Sequence, residues 1–447
     1  MPEIIRYIIR FMVGEHLSGE VSRLVGYTSD VASFADYKVV IVPSDFFNEG
    51  VYGTYRTIPS LPLKNIEGVP FIFGTPDVER VGDTIVVRAD LVASACFLLS
   101  RYEELLHRDI RDEYGRFPGC KSLPYQAGFI DRPVVDEYGK LIRKWLNING
   151  VKTDEHKPFI RKINLTHDVD VPFSCRTWRN VARQIVCGRN PFDAIRDKYN
   201  PLTCDPFYTF PWMFQQNKIL QHSAGESRCR TLLFFRAGGK TKNDKPRYDL
   251  YGKDMRALFE LCREQEATIG LHSSYHAGIE PSRILSEKKN LETACGTEVR
   301  QNRHHFLSSR EPEDMVFLEK AGITDDYTMG YADVAGFRLG TSLPVRYINP
   351  AICRLSSLML HPLTIMDGTL FEPDYMNLTA GEAEEYCMKL IHNIRNVSGE
   401  LTLLWHNTNA IEQRGYLRDL YVKLINEINE NCNSDWRKTA IYQGGGC

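Results

Sequence analysis

From about residue 156 onward the chain alternates short apolar runs with amphipathic stretches, and this pattern narrows its possible folds most. KINLTH (162–167), TLLFF (231–235), ATIGLH (267–272), LTIMDG (363–368) and ELTLLWH (400–406) read as buried strands. KDMRALFELCREQE (253–266), EPEDMVFLEKAG (311–322) and GEAEEYCMKLIHNIRN (381–396) repeat apolar residues at spacings of three and four, as helices do. Neighbouring parallel strands need a long crossover to return to the same edge, and a helix supplies it. The alternation therefore implies a parallel sheet in an α/β fold. Its usual closed form is a (β/α) barrel, with the reactive side chains at the C-terminal ends of the strands.

Residues 1–155 have a different texture and read as a smaller α/β domain ahead of a barrel at 156–447. KVVIVPSDFF (38–47), VPFIFG (69–74) and TIVVRADLV (84–92) are strand candidates. ADLVASACFLLSRYEELLHR (89–108) reads as one helix and VVDEYGKLIRKWLNI (134–148) as another. The polar stretch NGVKTDEHKP (149–158) makes a linker, and QGGGC (443–447) a flexible tail.

Composition removes several function classes. With 55 basic and 57 acidic side chains the net charge is −2, so there is no excess of Lys and Arg to neutralise nucleic-acid phosphates. The apolar N-terminus, MPEIIRYIIRFMVGEH, is interrupted by Arg6 and Arg10 and lacks the small-residue cleavage site of an export signal. No run of about 18 apolar residues occurs, so no membrane span is expected, and the expected location is the cytoplasm. The 12 cysteines form no C-x-x-C pair and read as reduced thiols.

Three of the strands end in ionisable residues: His167, Asp168 and Asp170; His272 and His276; and His406. Two carboxylates at the end of one buried strand repel each other, and a cation offsets that cost. Asp168 and Asp170 share a side because the side-chain period of a strand is two. In HSSYH the two histidines stand four apart, a spacing that lets both reach one metal across a helical turn. Alone, each motif has a structural reading: a core histidine beside a helix cap, or a capping acid beside a solvated one. Together they make two imidazoles and a carboxylate, which is a catalytic zinc set with open positions and also a ligand set of non-haem iron oxygenases. His406 ends the last strand, which a barrel places beside the first, opposite Asp168.

These residues resemble the polysaccharide deacetylase superfamily, the NodB-homology enzymes of carbohydrate esterase family 4, over about residues 158–410. THDVD resembles the first motif and implies Asp168 as general base and Asp170 as metal ligand. HSSYH matches the second and implies His272 and His276 as ligands. RHHFL resembles the third without its proline and implies Arg303 as the residue that orients the base; Arg338 in GFRLGTS is the alternative. The fourth motif supplies an aspartate that tunes the catalytic histidine, and Asp326 and Asp367 both qualify. LWH matches the fifth and implies His406 as general acid. Residues 1–155 resemble the uncharacterised domain that precedes such barrels in some bacterial proteins.

The resemblance implies a distorted (β/α) barrel that removes N-acetyl or O-acetyl groups from a carbohydrate. Its cofactor is a divalent metal, zinc first, with cobalt, nickel, manganese or iron as alternatives. Its partner is an acetylated glycan or amino sugar. Three other readings remain: an allantoinase-like or imidase-like hydrolase of another non-peptide C–N bond, a glycan-binding protein with a vestigial barrel, and an iron oxygenase, against which the strand–helix alternation counts.

Overall fold

The computed structural model describes residues 1–443 other than 15, 16, 18, 154–157 and 175, with side chains as far as Glu430. Part of the expected linker and all but the first residue of the expected tail lie outside the described residues. The chain divides into two compact units. The first comprises Met1–Arg161, Leu307–Thr364 and Lys389–Leu401, and the second Lys162–Phe306, Ile365–Met388 and Thr402–Cys447.

The first unit holds β1 (Val25–Tyr27), β2 (Val39–Ile41), β3 (Lys64–Ile66), β4 (Val69–Phe71), β5 (Gly74–Val81) and β6 (Thr84–Ala89), then β11 (Asp325–Asp326), β12 (Val345–Asn349) and β13 (Arg354–Leu360). Four of them form a sheet in the order β1-β2-β6-β5, parallel except for the β5–β6 hairpin. The N-terminal helix Pro2–Val13 buries Ile4, Ile8, Ile9, Met12 and Val13 and leaves Arg6 and Arg10 exposed, so its apolar residues serve a core. It packs on the helix Val134–Ile148 at Gly139, where a Cβ would stand 2.3 Å from the Met12 carbonyl oxygen. Val345, Ile348 and Leu355 complete the same core.

The single helix expected over 89–108 is two, Leu91–Leu99 and Tyr102–Leu106, broken where Arg101 takes a left-handed φ of 59°. There its guanidinium donates to Glu104 Oε2 at 2.5 Å and to Ser309 Oγ and O at 2.9 Å. Those charge-assisted bonds offset the cost of the break.

The second unit holds β7 (Lys162–Val169), β8 (Cys229–Phe235), β9 (Thr268–Ser273), β10 (Gln301–His304), β14 (Ile365–Met366) and, from Thr402 on, β15 (Glu400–Leu404). Their order is β10-β9-β8-β7-β15-β14. The pairings β10–β9, β9–β8, β8–β7 and β14–β15 are parallel, with helices such as Phe210–Ala224, Lys253–Glu264 and Ile284–Cys295 in the crossovers. β7 and β8 are buried almost throughout, as strands covered on both faces are. Within this unit the six strands make an incomplete ring, which fits a distorted barrel.

Among the described residues no helix is long and apolar enough to cross a membrane, and none of the nine described cysteines is in a disulfide.

Candidate metal centre and catalytic site

The carboxyl ends of the second unit's strands carry its ionisable residues. β7 presents Asp168 and then Asp170, and β9 presents His272. β10 presents Arg303 and then His305. Asp367 follows β14, and His406 follows β15. His167 has a structural part: its ring bridges the Trp405 carbonyl oxygen (2.9 Å) and Asn217 (3.0 Å), and burial pushes its pKa down to about 4.

Among the described residues one donor set converges, formed by Asp170, His272 and His305, whose ligand atoms all lie within 4.8 Å of one another. Asp170 Oδ1 is 3.3 Å from His272 Nε2 and 3.2 Å from His305 Nε2. His272 Nδ1 lies 2.9 Å from the Arg303 carbonyl oxygen, which can only accept, so Nδ1 carries a proton. In the neutral ring Nε2 is then a bare lone pair facing a carboxylate oxygen. Both atoms are buried and neither makes a hydrogen bond. Two buried acceptors pointed at each other are unfavourable unless a cation or an added proton lies between them. Two ligands of one tetrahedral zinc, bound at about 2.0–2.1 Å, stand about 3.3–3.4 Å apart. The donor chemistry and the spacing therefore both fit a divalent metal.

Attraction from His305 and His272 overcomes the effect of burial and holds the Asp170 carboxyl well below its ordinary range. Arg236 holds the same residue, donating from Nη2 to the Asp170 carbonyl oxygen at 2.5 Å, with its Nε 3.7 Å from Oδ1.

His276 is not in this group. It lies on the short helix Tyr275–Ile279, so a strand end and a helix start separate it from His272, and the spacing of four does not stack the two rings on one helical face. Its Nε2 is 3.2 Å from Glu280 Oε1.

Asp168 is buried, with Oδ2 3.5 Å from His272 Nε2. Its Oδ1 accepts from Arg303 Nη1 at 2.9 Å, and the same Nη1 reaches Thr166 Oγ1 at 2.8 Å. Arg303 is fully buried, with its guanidinium 4.6 Å from the centre of the Phe234 ring. Phe234 faces Gly270 across the ladder, where a Cβ would stand 2.6 Å from that ring. Glycine in β9 thus makes room for the platform under Arg303.

His406 has Nδ1 2.7 Å from Asp367 Oδ1, while Asp367 Oδ2 accepts from the His406 backbone N–H (2.6 Å) and from Asn409 (3.0 Å). Its Nε2 points back to Asp170 Oδ2 at 3.6 Å. Burial alone lowers its pKa, but Asp367, Asp170 and Asp168 together raise it to about 10. The strand bearing it lies beside β7, where the Trp405 N–H donates to the Thr166 carbonyl oxygen.

Asp326 and Arg338 belong to the first unit. Asp326 accepts from the Thr328 N–H and hydroxyl, and Arg338 makes a bidentate pair with Glu104 at 2.9 and 2.8 Å and donates to the Gly330 carbonyl oxygen. The sequence reading gave His305 no place among the site residues. A signal for it was present: Arg303 and His305 are two apart at a strand end and so share a side.

Residues 3–150 match the model of a family of unknown function, DUF7033. No curated protein matches the chain. Among solved structures, the chain is similar to a protein of Mycobacterium smegmatis provisionally named a polysaccharide deacetylase, at 14% identity and a TM-score of 0.36, over 65% of this chain and 94% of that one. It is also similar to a mutant CE4 family pseudoenzyme and to a second mutant of that pseudoenzyme with restored enzymatic activity. Each is 11% identical with a TM-score of 0.30, over 61% of this chain and 64% of that one.

Proposed function

We propose that the second unit is a metal-dependent hydrolase that removes acetyl groups from a carbohydrate. The observation that carries the reading is the 3.3 Å approach of Asp170 Oδ1 and His272 Nε2, two buried atoms without a hydrogen bond that a divalent cation would satisfy. Asp170 and His272, with a second imidazole, would hold the metal. When bound, it supplies Lewis acidity and lowers the pKa of water.

The chain's own residues do the rest. Asp168, held by Arg303, takes the proton of the attacking water. Its second oxygen stays turned toward the metal ligands because Arg303, which also bonds Thr166, fixes the first. His406 donates a proton from Nε2 to the leaving nitrogen or oxygen. Asp367 fixes the ring by bonding Nδ1 and the backbone N–H together, which leaves Nε2 facing the site. A base and an acid on opposite sides of one acyl carbon are what acyl transfer to water requires. The sugar substrate comes from the resemblance of the motifs THDVD, HSSYH and LWH to those of carbohydrate esterase family 4.

The test pairs metal content with acetate release from a panel of N- and O-acetylated glycans, using wild type and Asp168→Asn. The expected result is about one metal per chain in both proteins, with acetate released by the wild type only. Normal turnover by Asp168→Asn refutes its role as base. A wild type that takes up no metal on reconstitution refutes the hydrolase reading.

A further inference from the structure

We infer that the third metal ligand is His305, backed by Asp244, and that His276 lies outside the coordination sphere. This rests on the metal-dependent reading above and departs from the ligand set that the motif resemblance implies, which takes both histidines of HSSYH.

His305 Nε2 and His272 Nε2 approach the same oxygen, Asp170 Oδ1, at 3.2 and 3.3 Å. That oxygen makes no hydrogen bond, so neither close approach has hydrogen-bond geometry. The two rings stand 5.0 Å apart, centre to centre, at 69°, so their nitrogens converge and the rings do not stack. Among the described residues His276 does not join this converging set: its Nε2 pairs with Glu280, whose side chain is half exposed, and its Nδ1, buried and without a hydrogen bond, lies outside the group.

The backbone after His305 turns sharply. Phe306 and Leu307 follow it with φ of 59° and 53°, both left-handed and both bulky. Such residues cost roughly 1–3 kcal/mol each and persist where the surroundings hold them. Here the Phe306 ring packs edge-on against Tyr275 (5.8 Å) and against His305 itself (4.6 Å). The turn ends β10 abruptly and delivers the His305 ring to the carboxyl end of β9.

A carboxylate lies near the other nitrogen of the ring. Metal-binding histidines usually present their other nitrogen to a carboxylate, carbonyl or water. His305 Nδ1 faces Asp244 Oδ1 at 3.9 Å. Asp244 is fully buried and already fixed: Oδ1 accepts from the Tyr275 N–H (2.8 Å), and Oδ2 from the Thr241 N–H (3.0 Å) and hydroxyl (2.7 Å). A buried carboxylate tied to the turn that carries His276 thus faces His305 Nδ1, at a separation longer than a hydrogen bond and with Nδ1 making none. Asp244 is a positioning residue: its charge acts on the ring, and it contacts no reacting atom.

The experiment measures Zn2+ and Co2+ stoichiometry and affinity by calorimetry and elemental analysis. It compares the full-length wild type with His305→Gln, His305→Ala, His276→Gln and Asp244→Asn, each checked for folding by circular dichroism. Both His305 variants should lose metal affinity by more than the roughly 10–100-fold that removing an outer partner costs, and Asp244→Asn should lose about that amount. His276→Gln should keep wild-type stoichiometry and the wild-type visible spectrum of the Co2+ form, while His305→Gln should change that spectrum. Metal bound by wild type and by His305→Gln alike, or lost from His276→Gln, overturns this assignment and leaves the hydrolase reading standing. Absence of metal from the wild type removes the hydrolase reading and this assignment with it.

Discussion

Replacing Arg303 with methionine should destabilise the second unit by about 3–5 kcal/mol, because it leaves Asp168 charged and buried without its partner. At 2.9 Å and an effective dielectric near 20, the two charges attract by about 6 kcal/mol, part of which offsets the cost of taking both out of water. Methionine fills much of the space over Phe234, so little of the loss comes from a cavity. Asp168→Asn on its own removes the acid and strands the guanidinium. The double variant Arg303→Met/Asp168→Asn strands neither charge, so its cost should fall short of the sum of the single costs by at least about 1–3 kcal/mol. Urea unfolding of the four proteins, followed by a probe in the second unit, measures that coupling. Free energies that add within about 0.5 kcal/mol would refute the claim that Arg303 is there to hold Asp168. Arg303→Lys keeps the charge but not the planar guanidinium whose Nη1 reaches both Asp168 and Thr166. It should recover much of the stability while acetate release stays well below wild type.

Asp367→Asn should lower kcat by about 10²–10⁴-fold with metal content unchanged, because it loosens the His406 ring without touching Asp170 or His272; steady-state kinetics with elemental analysis checks this. Arg338→Met should destabilise the first unit by about 3–5 kcal/mol through the buried Glu104 pair, yet leave turnover per folded molecule near wild type, as thermal melts and active-fraction assays will read. Burial pushes Glu104 up, but Arg101 and Arg338 overcome it and hold its pKa at about 2, below the unfolded value of 4.5. That contribution is complete above pH 4.5 and is lost as pH falls toward 2, so Glu104→Gln should flatten the acid side of the first unit's stability profile in pH-dependent unfolding.

Much of the second unit can be read from sequence where apolar periodicity and chemistry coincide. KINLTHDVD, ATIGLH and ELTLLWH read as strands because each carries closely spaced apolar residues that end up buried, such as Ile163, Leu165 and Val169 in the first, and each ends on a residue of the site. QNRH, the strand β10, gives no such signal: it is polar throughout, yet Asn302, Arg303 and His304 are buried. Its burial depends on partners far away in the chain, such as Asp168 and Thr166, and local pattern cannot report them. The same limit left Asp326 and Asp367 equivalent, and Arg303 and Arg338. Only tertiary contact separates an aspartate bonded to His406 from one bonded to a neighbouring threonine, or an arginine on Asp168 from one on Glu104. HSSYH suggested a shared helical face because i,i+4 spacing means one face only if both residues are helical, and here the helix begins after His272.

The first unit gathers three separated stretches of chain, with β12 and β13 joining the core begun by the N-terminal helix. Its last piece, Lys389–Leu401, is synthesised only after most of the second unit. At about 5–20 residues per second, the early part waits on the order of ten seconds or more on the ribosome before its core can close. During that interval the apolar faces of Pro2–Val13 and Val134–Ile148 can cover each other at Gly139, which makes that contact a shield against premature association as well as a piece of packing. A side chain at position 139 would therefore show its effect in the yield of soluble protein from translation before it showed in the stability of the finished fold.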